Sequence, residues 1–128
     1  MPLHNRSNAA NLYKQGSVNT ASPAKLTLML YDGAVKFCNI AMEGIRENNI
    51  EKANNNILKA EKIIVELRAT LDTKYPVATE FDRVYDYIYR RLVEANTSKD
   101  PEILEEAMKH IKTMRDTWIE VMKRNHVS

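Results

Sequence analysis

The sequence predicts an all-α protein, an antiparallel up-down-up-down four-helix bundle with a mobile N-terminal arm. Three observations lead to this prediction. Apolar residues recur at intervals of three and four in four segments of roughly 20 to 25 residues each. All four prolines lie at or outside the predicted ends of these segments, where they do not interrupt a helix. The connectors are short, and short connectors favour antiparallel neighbours.

The predicted arm spans residues 1–22 and the predicted bundle residues 23–128. The arm is rich in Asn and Ser, and its isolated apolar residues include Leu12, Tyr13 and Val18. Two interpretations stay open: a free tail, or a docking arm with a short helix that lays these three side chains over a groove of the bundle.

The first helix is predicted at residues 23–47. Ser22 suits the N-cap because its hydroxyl can accept a bond from a first-turn N–H, and Pro23 suits the first helical position. Gly33 and Gly44 lie inside this helix at a cost of about 1 kcal/mol each. Each glycine indicates either close approach of another backbone or simple tolerance.

The other helices are predicted at residues 50–72, 76–96 and 101–123. Asp100 and Pro101 repeat the start signal of the first helix. The apolar seams that define these three helices are Ala53, Ile57, Ala60, Ile64, Leu67 and Leu71; Val77, Phe81, Val84, Ile88 and Leu92; and Leu104, Ala107, Ile111, Met114, Trp118 and Val121.

Composition narrows the functional class. A chain of 128 residues makes one domain. Its 19 basic and 17 acidic residues are balanced and dispersed, so we expect no nucleic-acid partner. No apolar run approaches the ~20 residues of a membrane span, and the N-terminus does not read as a signal peptide. A single cysteine, Cys38, excludes an internal disulfide, and we expect a cytosolic protein.

The polar residues indicate no enzyme, cofactor or metal. Only His4, His110 and His126 are available, and Glu106 with His110 forms one pair four residues apart, whereas di-iron bundles need two such motifs and further acids. Cys38 is expected to be a core residue, because a nucleophilic role needs a positioned base.

Several helices carry more apolar residues than one buried stripe needs. These residues either seal the sides of a small bundle or leave a groove for an amphipathic helix or an extended chain. If all of them lay inside one subunit, no apolar groove would remain for a partner. The extra residues are Leu28, Tyr31 and Val35 on the first helix, Ile63 and Val65 on the second, and Tyr85 and Tyr89 on the third.

The N-terminal part resembles the flagellin-specific export chaperones, the FliS family, which read N-x-Y…V-x-T-A-S-P-x-x-L…M-L-Y-D-G-A at this place. The resemblance extends to the ends of the third and fourth helices. The matching segments are Asn11-Leu12-Tyr13, Val18-Asn19-Thr20-Ala21-Ser22-Pro23, Leu26, Met29-Leu30-Tyr31-Asp32-Gly33-Ala34, Ile88-Tyr89-Arg90-Arg91-Leu92 with Ala95-Asn96, and Met114-Arg115-Asp116-Thr117-Trp118.

The resemblance implies a function. Members of this family are four-helix bundles in the bacterial cytosol that bind the disordered C-terminal segment of flagellin. They prevent its premature polymerisation and deliver it to the export gate of the flagellar type III machinery. In some members the N-terminal arm covers part of the groove until cargo displaces it. We therefore expect a non-enzymatic chaperone whose partners are flagellin and an export gate component.

Nine residues are predicted to contact the partner. For Met29 and Leu92 packing in the core is the competing interpretation, and for Asp32 it is a solvated acid. The alternative function is a homo-oligomeric helical-bundle adaptor or scaffold without a dedicated cargo, and the sequence leaves the oligomeric state open. The nine are Leu12, Tyr13 and Val18 in the arm, Met29, Tyr31 and Asp32 on the first helix, and Tyr85, Tyr89 and Leu92 on the third.

Overall fold

The computed structural model describes residues 22–125, which form four α-helices and no β-strand. The predicted contacts Leu12, Tyr13 and Val18 lie outside the described residues. The helices are α1 (Pro23–Arg46), α2 (Ile50–Ala69), α3 (Val77–Ser98) and α4 (Pro101–Arg124).

Local sequence explains where three of the helices begin and where α2 ends. Side-chain oxygens of Ser22, Asn49 and Asp100 each accept a hydrogen bond from a first-turn backbone N–H of α1, α2 and α4. Helix α2 ends at Ala69, three residues earlier than predicted. The Asp72 carboxylate there accepts a hydrogen bond from a backbone N–H two residues on, and such turns compete with helix.

The four helices form a ring in which each packs against two neighbours. Helix α1 packs against α2 and α4, and α3 also packs against α2 and α4. Contacts between α2 and α3 run from Asn54 with Asn96 to Arg68 with Asp82, so these helices are antiparallel. The predicted all-α four-helix bundle is confirmed. In this ring the α1/α4 side lies opposite the α2/α3 side.

Two tyrosines meet across the centre of the ring. The Tyr31 and Tyr85 side chains are 1% and 2% exposed, their hydroxyls share a hydrogen bond, and their ring centroids are 6.5 Å apart. Each tyrosine supplies the polar partner that the other needs, so both can be buried. Burial raises the pKa of both hydroxyls. Of the predicted contact residues, Tyr31, Tyr85 and Leu92 thus belong to the interior and expose no groove.

Other interior residues settle alternatives left open by the sequence. Cys38 is fully buried, as expected of a core residue, and burial raises its thiol pKa to about 12. A Cβ atom at Gly44 would lie 2.7 Å from the Ala53 backbone nitrogen, so close approach of α2 requires this glycine. Trp118 is half-buried, and its indole N–H donates to the Ala24 carbonyl at 2.9 Å.

Candidate functional site

One stripe of side chains on α2 faces one stripe on α3. Each stripe has five members spaced four and three residues apart, which places them along one face of a helix. The α2 stripe is Asn54, Leu58, Glu61, Val65 and Arg68, and the α3 stripe is Asp82, Asp86, Tyr89, Val93 and Asn96.

Polar contacts at both ends fix the register of these stripes. At one end, Asn96 Nδ2 donates to Asn54 Oδ1 at 2.8 Å. At the other end, Arg68 Nε donates to Asp82 Oδ1 at 2.9 Å, and Arg68 Nη1 lies 3.4 Å from Asp86 Oδ1. The contacts at both ends are consistent with one antiparallel register. In this register the middle of the α2 stripe lies beside the middle of the α3 stripe.

The middle of the two stripes is apolar and partly open to water. The side chains of Leu58, Val65 and Val93 are 41%, 52% and 40% exposed, and Tyr89 is half-buried against the core. Leu58 and Val65 are two helical turns apart, a span of about 10 Å. We call Leu58, Glu61, Val65, Tyr89 and Val93 the open seam.

Glu61 is the one charged member of the open seam. It is 8% exposed and makes no hydrogen bond or ion pair with any residue of 22–125. Within that range every buried side-chain polar atom has a partner, so the Glu61 carboxylate oxygens must still reach water. Removal of most surrounding water raises the pKa of this carboxyl. The stem is therefore buried and the carboxylate lies in the seam.

The other side of α3 is closed by a polar cluster. Tyr87 donates its hydroxyl to Glu106 Oε2 at 2.6 Å, and Arg91 Nε donates to Glu106 Oε1 at 2.8 Å. The His110 ring meets the Tyr87 ring edge-on with centroids 5.4 Å apart. The hydrogen bond from Tyr87, and then the one from Arg91, lower the pKa of Glu106. We call Tyr87, Arg91, Glu106 and His110 the closed seam.

Neither seam is arranged for metal chemistry. Across residues 22–125, no group of three or more His, Cys, Asp or Glu side chains is placed to hold a metal ion. In the same part of the chain, no helix combines the length and apolar character that crossing a membrane requires. What the described surface offers is an apolar strip with a carboxylate in it.

Comparison with known proteins identifies the family. The model of the family described as Flagellar protein FliS matches residues 6–125. The chain belongs to the FliS family. It is 42% identical over 111 residues to the flagellar secretion chaperone FliS of Bacillus subtilis (strain 168), covering 87% of this chain and 84% of that protein. It is 30% identical over 124 residues to the flagellar secretion chaperone FliS of Campylobacter jejuni, covering 94% and 95%.

Membership of the FliS family indicates the general function. The family consists of flagellar secretion chaperones, so this member acts in flagellar export as a chaperone and not as an enzyme. A chaperone of this kind has a secretion substrate as its partner.

The structure separates the predicted contact residues of this FliS family member. Tyr89 lies in the open seam, on the α2/α3 side. Asp32 is exposed on α1, and its Oδ1 is 3.7 Å from Arg115 Nη1 of α4, so it lies on the opposite side. Met29 is half-buried on α1. Together with the interior Tyr31, Tyr85 and Leu92, these residues do not form one continuous surface.

Sequence reasoning missed most of the open seam. Val65 was among the extra apolar residues, but Leu58, Glu61 and Val93 were not singled out. The available signal was spacing, because Leu58 precedes Val65 by seven residues and Val93 follows Tyr89 by four. Such spacing places residues on one face of their own helix, but it does not show which face another helix leaves uncovered.

Proposed function

We propose that this chain binds the disordered C-terminal segment of flagellin in the bacterial cytosol, prevents its premature polymerisation and delivers it to the flagellar export gate. The open seam carries this proposal. It is an apolar strip with helical spacing that the bundle itself leaves uncovered, on a chain whose relatives are named flagellar secretion chaperones.

The open seam suits a short helical stretch of cargo. Amphipathic helices bind grooves through apolar residues at positions i, i+3, i+4 and i+7. Leu58 and Val65 are seven residues apart and Tyr89 and Val93 are four apart, so the α2 wall of the seam matches two turns of a cargo helix and the α3 wall matches one. Burial of the cargo's apolar stripe removes the surface that its own assembly needs.

The binding energy expected from the open seam supports its role as one anchor among several. Complete burial of an aliphatic side chain contributes about 1.5–3 kcal/mol. Leu58, Val65 and Val93 are already roughly half-buried, so covering them adds about 1 kcal/mol each. Micromolar binding corresponds to about 8 kcal/mol. The remaining affinity must come from other surfaces.

We place those surfaces at the other predicted contacts. In this proposal Met29 and Asp32 contact the cargo on the far side of the bundle. Residues 1–22 form the arm, which contacts the cargo through Leu12, Tyr13 and Val18. The cargo then follows a path around the bundle rather than one groove. Tyr31, Tyr85 and Leu92 do not contact the cargo in this proposal. They support binding indirectly, because their packing in the core holds α1 and α3 in place.

Two exposed valines allow a matched test. Val65 in the open seam and Val77 at the start of α3 are 52% and 50% exposed. We expect Val65→Glu to weaken binding of a flagellin C-terminal segment roughly tenfold or more in calorimetry. Val77→Glu should leave binding within about twofold of the wild type. Both variants should keep the wild-type melting temperature.

The same proteins test the consequence for polymerisation. Equimolar wild-type chaperone should suppress seeded polymerisation of flagellin, and the Val65→Glu variant should suppress it less. Equal binding by both valine variants would contradict a role for the open seam. A wild-type dimer that Val65→Glu dissociates, with no flagellin complex, would instead support the homo-oligomeric adaptor.

A further inference from the structure

The unpaired carboxylate of Glu61 is an unusual feature of an apolar seam. The Glu61 oxygens keep access to solvent in the free protein, yet burial of the stem already disfavours the charged form. Arg68, the cation of the same stripe, is engaged by Asp82 and Asp86 and does not neutralise it. Any segment seated over Leu58 and Val65 displaces the water that Glu61 needs.

We infer that the segment which occupies the open seam carries a lysine or arginine that pairs with Glu61. This inference rests on the proposed function and specifies the chemistry of the cargo at this anchor. Glu61 lies three residues after Leu58 and four before Val65, so it is centred between two apolar contacts. The matching cargo helix therefore has a basic residue with an apolar residue about one turn to each side.

Charge complementarity distinguishes this occupant from the others. A purely apolar segment would seal Glu61 away from water without a partner, and a buried unpaired charge is strongly unfavourable. An acidic segment would add repulsion. A second copy of this chain, packed through the same patch about a two-fold axis, would bring another carboxylate into the same apolar surface. A lysine or arginine of the cargo would donate a charge-assisted hydrogen bond to the Glu61 carboxylate and so offset the free energy lost when that carboxylate is desolvated.

Glu61 also gives the seam selectivity. Exposed aliphatic side chains attract many apolar segments, whereas a carboxylate among them rejects neutral and acidic ones. The open seam thus selects for a mixed basic and apolar stretch within a long disordered chain.

A double-mutant cycle tests the pairing. The probe is the flagellin C-terminal segment of the same bacterium, with each Lys and Arg changed singly to Gln. Binding is measured to the wild-type chain, to Glu61→Gln and to Glu66→Gln, which changes an acid of α2 outside the stripe. We expect one cargo substitution to weaken binding to the wild type and to Glu66→Gln roughly tenfold, and to have no effect on Glu61→Gln.

The result that overturns the inference is additivity. If every basic substitution has the same effect on the wild type and on Glu61→Gln, no cargo cation pairs with Glu61. The proposed function survives that result provided that Val65→Glu still weakens binding of the segment.

A second probe tests the inference without flagellin. It is a designed amphipathic peptide with Leu four residues before and after a central Arg, Gln or Glu. We expect the wild-type chain to prefer Arg over Gln and Gln over Glu, and Glu61→Gln to lose the preference for Arg. Equal affinity of the wild type for all three peptides would overturn the inference, even if the flagellin segment does not bind.

Discussion

The two sides of α3 differ in how their polar groups are satisfied. Tyr87 in the closed seam and Val93 in the open seam have nearly equal exposure, 37% and 40%. The Tyr87 hydroxyl is bonded to Glu106, whereas the open seam contains an unpaired Glu61. Exposure of a large side chain therefore does not by itself indicate a binding surface. What distinguishes the two faces is whether the neighbouring polar groups have hydrogen-bond partners within the bundle.

The two glutamates show the same contrast in their pKa values. Hydrogen bonds from Tyr87 and Arg91 lower the pKa of Glu106, while burial raises the pKa of Glu61. The charge on Glu106 therefore favours the folded state, and the charge on Glu61 opposes it. A group that costs the free protein stability and sits in an apolar surface is typical of a functional site.

The largest expected effect separates the interior from the open seam. Tyr85→Ala removes a fully buried ring and should lower the free energy of unfolding by about 3–5 kcal/mol, measured by urea unfolding. Tyr89→Ala, one turn further along α3, removes a half-buried ring and should cost far less stability. It should instead weaken flagellin binding.

Tyr85→Phe is the control, because it keeps the ring and leaves the Tyr31 hydroxyl without its partner. We expect it to cost about 1–3 kcal/mol. If Tyr85→Ala folded as stably as the wild type, the assignment of Tyr85 to the core would be wrong.

A smaller effect of opposite sign is expected at Glu61. Glu61→Gln removes a partly desolvated charge, so at neutral pH the free variant should be more stable than the wild type, measured by urea unfolding. The pKa of Glu61 in the folded protein is raised above its ordinary value of 4.5. As the pH falls, Glu61 is therefore protonated in the folded wild type before it is protonated in the unfolded chain. The stability difference should therefore shrink as the pH drops through the raised pKa towards 4.5. A difference that is constant with pH would contradict the direction of this shift.

The smallest effect is expected in the closed seam. Glu106→Gln keeps an acceptor for Tyr87 but removes the charge that pairs with Arg91, so it should slightly lower the melting temperature. The loss should nearly vanish in about 1 M NaCl, where exposed ion pairs are screened. Because the pKa of Glu106 is lowered, its contribution should persist to a lower pH than the Glu61 effect. Flagellin binding by Glu106→Gln should equal that of the wild type; weaker binding would extend the interface to the closed seam.

Most of the helical architecture was predictable from sequence because its causes are local. Side-chain caps at Ser22, Asn49 and Asp100 and the apolar repeats act within a few residues of each other. The predicted helix bounds agree with the observed ones to within three residues. The motif around Met29-Leu30-Tyr31-Asp32 likewise identified the family without any structure.

The division between interior and surface was decided by tertiary structure. Tyr31 and Tyr85 are 54 positions apart, and each can be buried only because the other satisfies its hydroxyl. The register of α2 against α3 sets Glu61 among Leu58, Val65, Tyr89 and Val93, while Arg68, two turns further along α2, pairs with Asp82 and Asp86. A helical repeat specifies which residues share a face of one helix. Only the packing of helices distant in sequence determines which of those faces is covered and which polar groups are left for a partner.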